Sequence, residues 1–169
     1  MSTSTHPLLQ ASEGYASPDE GRPLKAYAGL AATYAVAFGG ALVALHRSGR
    51  ELPERISPTD ILLTGVATHK VTRLIAKDKV TSFIRSPFTC YQEHAGHGEL
   101  DEKPRGHGVR YAVGELLICP YCLGQWVGSA FAIGLVAAPR HTRFLETIFV
   151  ADTISDVLQI AYKAAGDQV

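Results

Sequence analysis

Residues 26–45 read AYAGLAATYAVAFGGALVAL and contain no charged side chain. As a helix they would rise about 30 Å, which is the thickness of the hydrocarbon core of a bilayer. Basic residues flank the stretch, with Arg22 and Lys25 before it and Arg47 and Arg50 after it. The stretch therefore predicts a membrane-spanning helix. The alternative is an Ala-rich helix buried in a soluble bundle, because only its Leu, Val and Phe residues favour insertion strongly.

Three further apolar blocks follow, near residues 56–76, 116–138 and 144–162. Block 116–138 is uncharged, whereas the other two carry charged residues such as Asp60 and Asp152. These two charged blocks are predicted either as spans whose polar faces meet inside a bundle or as amphipathic helices at the membrane surface.

Together the blocks predict an all-α, multi-pass membrane protein with about four membrane-associated helices within residues 25–163. A polar loop at 77–114 separates the second helix from the third. The N-terminal segment 1–24 is predicted to be a disordered polar tail without a signal peptide, and 164–169 a short C-terminal tail. Basic residues are more frequent on the side that holds the loop and both termini, which predicts that this side is cytoplasmic.

Composition limits the partners. Lys plus Arg and Asp plus Glu each number 16, so the net charge is zero and nucleic acid is not an expected partner. The bilayer is the expected surroundings. Two small-residue repeats at i+4 spacing predict close helix contacts, either within the chain or with a second copy or another membrane protein: Ala31, Ala35, Gly39 and Gly124, Gly128, Ala132.

The tetrapeptide Cys119-Pro120-Tyr121-Cys122 is the most chemically suggestive motif. Two sulfurs at this spacing at a helix N-terminus can share a disulfide or a metal ion. Cys90, His94 and His97 could add ligands to a zinc site there; the alternative is small buried cysteines and solvated histidines. No catalytic triad, phosphate loop or dinucleotide fingerprint occurs, so an enzyme is not favoured. A transporter would need a continuous polar path, for which Asp152 and Asp156 are the candidates.

An ordered set of motifs resembles the bacterial membrane family called domain of unknown function 1360. The motifs are ATHKVTRLIAKDKVT at 67–81, SPFT at 86–89, KPRG at 103–106, VGELL at 113–117 and CPYCLGQW at 119–126. The resemblance covers roughly Ser57 to Tyr162 and implies a small multi-pass protein of bacterial membranes. One branch of the family is associated with sporulation, and the family has no established activity. Its pattern includes the Cys-Pro-aromatic-Cys but not Cys90, His94 or His97.

If these motifs act together, the end of the second helix would lie near the start of the third on the cytoplasmic side. The expected result is a polar network that fixes the helix ends, formed by His69, Lys70, Arg73, Lys77, Asp78, Arg105, Glu115, Asp152 and Asp156. The basic and acidic side chains of the second and fourth blocks each fall on one helix face, where they can pair. The preferred function is a structural or interaction component of the membrane; the alternative is a thiol- or metal-dependent membrane protein that uses Cys119 and Cys122.

Overall fold

The computed structural model describes residues 22–166, which form six helices and a two-stranded sheet. In chain order the elements are α1 (Leu24–Arg47), α2 (Pro58–Ala76), α3 (Ser82–Arg85), β1 (Thr89–Gly96), β2 (Glu99–Pro104), α4 (Val109–Ile118), α5 (Pro120–Ala137) and α6 (Pro139–Gly166). The predicted N-terminal tail lies outside the described residues except for 22–24. Of the predicted C-terminal tail, residues 164–166 are described and form the end of α6.

The expectation of an all-α fold is wrong, because part of the predicted loop 77–114 forms an antiparallel β-hairpin. Its turn contains Gly96 and Gly98, each with a φ of +84°, a conformation that glycine adopts without a steric penalty. His97 between them also has a positive φ. Strand β2 reads ELDEKP, in which Leu100 is the single large apolar residue. Hydropathy alternation therefore gives little indication of this strand.

The expectation of about four membrane-associated helices is also wrong in its form with four spans. Within residues 22–166, only α1 and α5 are long and apolar enough to cross a bilayer. Helix α2 carries Asp60, Lys70 and Arg73, and α6 carries charged residues along most of its length. A core helix of a soluble protein can be equally apolar, but it is mostly buried. In α1 and α5 only 6% of the most apolar window is buried.

Helices α1 and α5 run parallel and meet through polar and aromatic side chains. The Tyr34 hydroxyl of α1 lies 2.7 Å from the Ser129 hydroxyl and accepts a hydrogen bond of 2.6 Å from the Gln125 amide. The Tyr34 ring packs edge-on against Trp126 at a centroid distance of 5.2 Å. Further along both helices, Arg50 donates to the carbonyl of Val136 at 3.2 Å. Hydrogen bonds and an aromatic contact therefore join α1 to α5.

Helices α2 and α6 also run parallel to each other, and both are antiparallel to α5. A Cβ at Gly128 of α5 would lie 3.6 Å from Thr68 of α2, and one at Gly134 would lie 2.7 Å from Thr142 of α6. The small-residue face of α5 thus contacts α2 through Gly128. In α1, by contrast, a Cβ added at Gly39 would meet no atom within 4 Å. This glycine of the first predicted repeat therefore has no close neighbour among the described residues.

Prolines set the helix boundaries. The apolar block 116–138 is divided at Cys119, since Pro120 lacks an N–H group and begins α5 at its first position. Pro139 likewise begins α6 after the single residue Ala138. Pro58 begins α2, behind Ser57, whose hydroxyl accepts the Thr59 N–H.

Buried side chains concentrate where the end of α2 meets the hairpin and α4. We call this region, formed by residues 72–78, α3, the hairpin and α4, the junction. Its buried residues include Thr72, Ala76, Arg85, Thr89, Leu100 and Ala112. Glu99 of β2 forms an isolated bridge with Asp78, and Leu100 donates its N–H to the Lys77 carbonyl. The hairpin is therefore fastened to the C-terminal end of α2 by backbone hydrogen bonds.

Candidate functional site

Arg85 is the centre of the junction. Its side chain is fully buried, and it forms a two-point ion pair with Glu102, which is only 5% exposed. The Nε–Oε2 distance is 2.7 Å and the Nη2–Oε1 distance is 3.3 Å. The guanidinium also donates to the carbonyls of Ile75 and Asp78 at 2.7 and 3.0 Å, and to the Thr81 hydroxyl at 3.1 Å. These five contacts match the five N–H donors of the guanidinium group, and a buried arginine requires such acceptors.

The unpaired carbonyls at the end of α2 explain why Arg85 contacts this helix. Carbonyls in the last turn of a helix have no partner within that helix, and a cation at this end is favoured by the helix dipole. The Ile75 carbonyl is one of these groups, and the four-residue helix α3 presents Arg85 to it. Arg85 therefore caps α2 and at the same time joins α2 to β2 through Glu102.

Two further ion pairs join α2 to β2 beside Arg85. Arg73 donates from Nε to Glu99 at 2.9 Å, and Lys77 donates from Nζ to Asp101 at 2.7 Å. The basic residues Arg73 and Lys77 are spaced i, i+4 along α2 and its C-cap, and their partners on β2 are spaced i, i+2. The members of each set therefore lie on the same face. The junction is thus held by three charge pairs between helix and hairpin.

A close backbone contact packs α4 against the rest of the junction. A Cβ at Gly114 would lie 2.5 Å from the Phe88 carbonyl oxygen and 3.0 Å from the Pro104 side chain. Only glycine allows this approach. The next residue, Glu115, accepts a hydrogen bond from the Tyr27 hydroxyl at the start of α1. Through α4 the junction therefore contacts the beginning of the first apolar helix.

A second group of polar contacts joins α2 to α6. Lys70 pairs with Asp152 at 3.1 Å and also with Asp156. Burial alone would lower the pKa of Lys70, but its hydrogen bonds with Asp156 and Asp152 outweigh burial and raise that pKa above its ordinary value. The Lys70 side chain is 12% exposed, whereas both carboxylates are about half exposed.

At the other end of the same helix pair, Arg143 of α6 forms a two-point ion pair with Asp60 of α2, at 2.9 and 2.8 Å. The Arg143 hydrogen bonds lower the pKa of the Asp60 carboxyl below its ordinary value. Between the two ends, the fully buried Glu146 accepts a hydrogen bond of 2.6 Å from Thr64. Polar contacts therefore join α2 to α6 near both ends of the pair and at one position between them.

A cavity of about 1060 Å³ lies between the C-terminal half of α2, the turn of the hairpin and the C-terminal part of α6. Two of the cations that line it are paired, since Lys70 contacts Asp156 and Arg73 contacts Glu99, and Lys163 lines it as well. Apolar side chains of α6, such as Val157 and Ile160, form part of the opposite wall. The cavity therefore offers apolar surface beside neutralised charge pairs.

The nine predicted network residues have different surroundings. Five line the cavity: His69, Lys70, Arg73, Asp78 and Asp156. Asp152 contacts Lys70, while Lys77 and Glu115 contact Asp101 and Tyr27 instead of the cavity residues. Arg105 donates its backbone N–H to the Phe88 carbonyl in the junction. The structure thus distributes these residues over the junction and the α2–α6 contact.

Sequence reasoning missed the partners that hold this arrangement. Arg85, Glu99, Glu102 and Glu146 were not singled out. Since Gly96 and Gly98 flank one residue between two polar segments, they could have indicated a hairpin turn. That turn would have placed the carboxylates of 99–102 beside the basic residues of α2.

Cys119 and Cys122 are joined by a disulfide, with their Cα atoms 5.2 Å apart. Cys90 is a free thiol. Among residues 22–166, no three His, Cys, Asp or Glu side chains are grouped so that they could hold a metal ion. The zinc site suggested by Cys90, His94 and His97 therefore has no assembled ligand set in this part of the chain.

Comparison with known proteins gives a family and two curated relatives. The family model described as "Protein of unknown function (DUF1360)" matches residues 63–162. The UPF0713 protein YngL of Bacillus subtilis (strain 168) is 31% identical over 90 residues, which are 52% of this chain and 65% of YngL. The chain therefore spans just under two thirds of the length of that relative. Sporulation protein YjcA of the same strain is 25% identical over 107 residues, 62% of this chain and 91% of YjcA. No solved structure matches significantly.

Proposed function

The chain belongs to the DUF1360 family of bacterial proteins of unknown function, and on that premise we propose that it is an integral membrane protein. It is embedded through α1 and α5 and acts as a structural or interaction component of the cell membrane. The observation that carries this proposal is the exposure of α1 and α5. Each has an uncharged or nearly uncharged window of 18 residues of which 6% is buried.

Contact with lipid accounts for this exposure better than contact with water does. Val36 of α1 is 75% exposed and Val43 is 49% exposed. Apolar side chains transferred from water to an apolar medium gain about 25 cal/mol per Å² of surface. A monomeric soluble protein rarely presents contiguous apolar surface over two whole helices. Lipid chains would cover these surfaces.

The direction of the helices supports one orientation. The start of α1 contacts α4 through Tyr27 and Glu115, and the C-terminal part of α6 lines the cavity beside the hairpin. Both described ends of the chain therefore lie at the same end as the junction. That end is rich in basic residues, among them Arg22, Lys25, Lys77, Lys79, Lys103 and Arg110. We assign it to the cytoplasm on the positive-inside rule.

Membrane fractionation of two matched variants tests the proposal. Val36→Arg introduces a charge near the middle of α1, with an insertion cost of about 2.5–3.5 kcal/mol. Gln92→Arg introduces the same charge on the exposed hairpin. We expect wild type and Gln92→Arg to remain in the membrane pellet after an alkaline carbonate wash, and Val36→Arg to be partly extracted. Release of the wild-type protein by carbonate would contradict membrane integration.

We assign the binding of a partner protein to the cavity. Tyr162 lines it and is 85% exposed, while Tyr91 on the hairpin lies outside it and is 55% exposed. Replacing each tyrosine with a photoreactive phenylalanine analogue keeps the ring and permits crosslinking in cells. We expect protein adducts from position 162 and few from position 91. Adducts with lipid alone at position 162 would contradict a protein partner at the cavity while leaving membrane integration intact.

A further inference from the structure

The disulfide between Cys119 and Cys122 lies at an exposed helix start. Cys119 immediately precedes α5, and Cys122 is its third residue. Between them, Tyr121 is 94% exposed, and Cys122 is itself exposed. Exposed disulfides are the ones that exchange readily with other thiols, and here nothing in the described residues covers Tyr121 or Cys122. A thiol of another molecule can therefore reach the bond.

The two sulfurs are not equivalent. The Sγ atom of Cys119 accepts a hydrogen bond from the Cys122 backbone N–H at 3.1 Å. That N–H is one of the unpaired donors in the first turn of α5, where the helix dipole also favours negative charge. No such donor contacts the Cys122 sulfur in the described part of the chain. If the bond opens, the negative charge is better stabilised on Cys119 than on Cys122.

We propose that Cys119–Cys122 is a thiol–disulfide exchange site that reacts with an external dithiol through Cys122. A thiolate of the dithiol attacks the Cys122 sulfur, the S–S bond breaks, and its electron pair passes to Cys119. The second sulfur of the dithiol, as thiolate, then attacks the mixed disulfide at the partner's sulfur and releases Cys122. The partner leaves as a disulfide, and its two protons pass to the two cysteine sulfurs.

The exchange site does not depend on membrane integration, and it is a function in addition to the one proposed above. The exchange is reversible, so the same site oxidises a dithiol or is regenerated by a disulfide, according to the ratio of the two forms. The third cysteine, Cys90, lies on β1 and takes no part. Replacing it with serine leaves the pair as the thiols to be measured.

A redox titration of the full chain with Cys90→Ser tests the site. The protein, in detergent micelles, is equilibrated with mixtures of reduced and oxidised dithiothreitol, quenched with acid and alkylated with a heavy maleimide. We expect a reversible transition between no label and two labels without denaturant. Reduction only after unfolding in dodecyl sulfate, or failure to reoxidise, would overturn the proposal and leave a structural disulfide.

A second experiment tests the difference between the Cys119 and Cys122 sulfurs. Cys122→Ser leaves Cys119 as the single thiol in the Cys90→Ser background, and Cys119→Ser leaves Cys122. We expect iodoacetamide at neutral pH to alkylate Cys119 about fivefold faster or more, because it carries more thiolate. Equal rates, or a faster Cys122, would overturn the assignment of Cys119 as the leaving sulfur. Circular dichroism of both variants checks that α5 is intact.

Discussion

The junction and the two apolar helices are stabilised by opposite means. In the junction, charged side chains are buried and paired, with Arg85 fully enclosed and Glu102 5% exposed. In α1 and α5, uncharged side chains are exposed over most of their length. A buried charge needs a counter-ion, which the junction contains, whereas our proposal assigns the exposed apolar surface of α1 and α5 to contact with lipid. The partners of the buried charges thus lie within the protein, whereas no described residue covers most of the surface of α1 and α5.

Breaking the central pair of the junction should have the largest effect. Arg85→Met leaves Glu102 buried without a counter-ion and removes the cap of α2, so we expect a loss of about 3–5 kcal/mol in unfolding free energy. Chemical unfolding in micelles, followed by circular dichroism, measures it. Lys79→Met, at an exposed basic residue of the same region, is the control.

The double variant Arg85→Met/Glu102→Leu distinguishes pairing from packing. Replacing both members of a buried pair with apolar residues of similar size is often nearly neutral. We expect it to recover part of the stability lost in Arg85→Met. A double variant no more stable than the single one would show that the pair itself is not what Arg85 provides.

The close contact at Gly114 should have the next largest effect. In Gly114→Ala the new methyl group would meet the Phe88 carbonyl oxygen at 2.5 Å, and backbone would have to move, at a cost of about 1–3 kcal/mol. Gly124→Ala in α5 adds the same group where no atom lies within 4 Å, and it should be neutral or slightly stabilising. Equal unfolding midpoints for the two variants would contradict the difference in packing between the regions.

The α2–α6 contact should respond more weakly than the junction. In a double-mutant cycle with Lys70→Ala and Asp156→Ala, we expect a coupling energy of about 0.5–1 kcal/mol, because the carboxylate is half exposed. Unfolding of the four proteins in micelles at constant salt provides the value. A coupling as large as that of Arg85 with Glu102 would place this contact in the same class as the junction.

The smallest effect concerns pH. The pKa of Asp60 is lowered in the folded protein by Arg143, so the stability from this pair is present above the unfolded pKa of about 3.9 and is lost as pH falls through the folded pKa. We expect wild type to unfold at a slightly higher temperature than Asp60→Asn from pH 7 to 5. The difference should shrink below pH 4. A difference that stays constant down to pH 3 would exclude this ionisation as its cause.

The apolar part of the molecule was easier to anticipate than the junction. Block 26–45 lies within α1, and the resemblance to the family is confirmed over residues 63–162. Both features depend on local composition or on ordered motifs. The hairpin was not predicted because β2 has one large apolar residue, Leu100, and so its strand character comes from pairing with β1. The burial of Arg85 was not predicted, because the sequence does not show which acceptors surround an arginine.

The number of spans was overestimated for a related reason. Helices α2 and α6 contain apolar residues at helical spacing, but their charges are matched to each other and to the hairpin rather than distributed at the ends. The composition of one block does not show whether its charged side chains form ion pairs with those of another block. The zinc hypothesis likewise combined residues by spacing along the chain, and the hairpin does not bring them together with the cysteine pair.

Spin-label accessibility tests the contrast between the two regions most directly. With the three cysteines replaced by serine, a nitroxide is placed at residue 36 of α1 or at residue 92 of the hairpin in liposomes. Power saturation then measures collision with oxygen, which concentrates in lipid, and with a water-soluble nickel chelate. We predict high oxygen and low nickel accessibility at residue 36, and the reverse at residue 92. High nickel accessibility at residue 36 would contradict the claim that lipid covers α1.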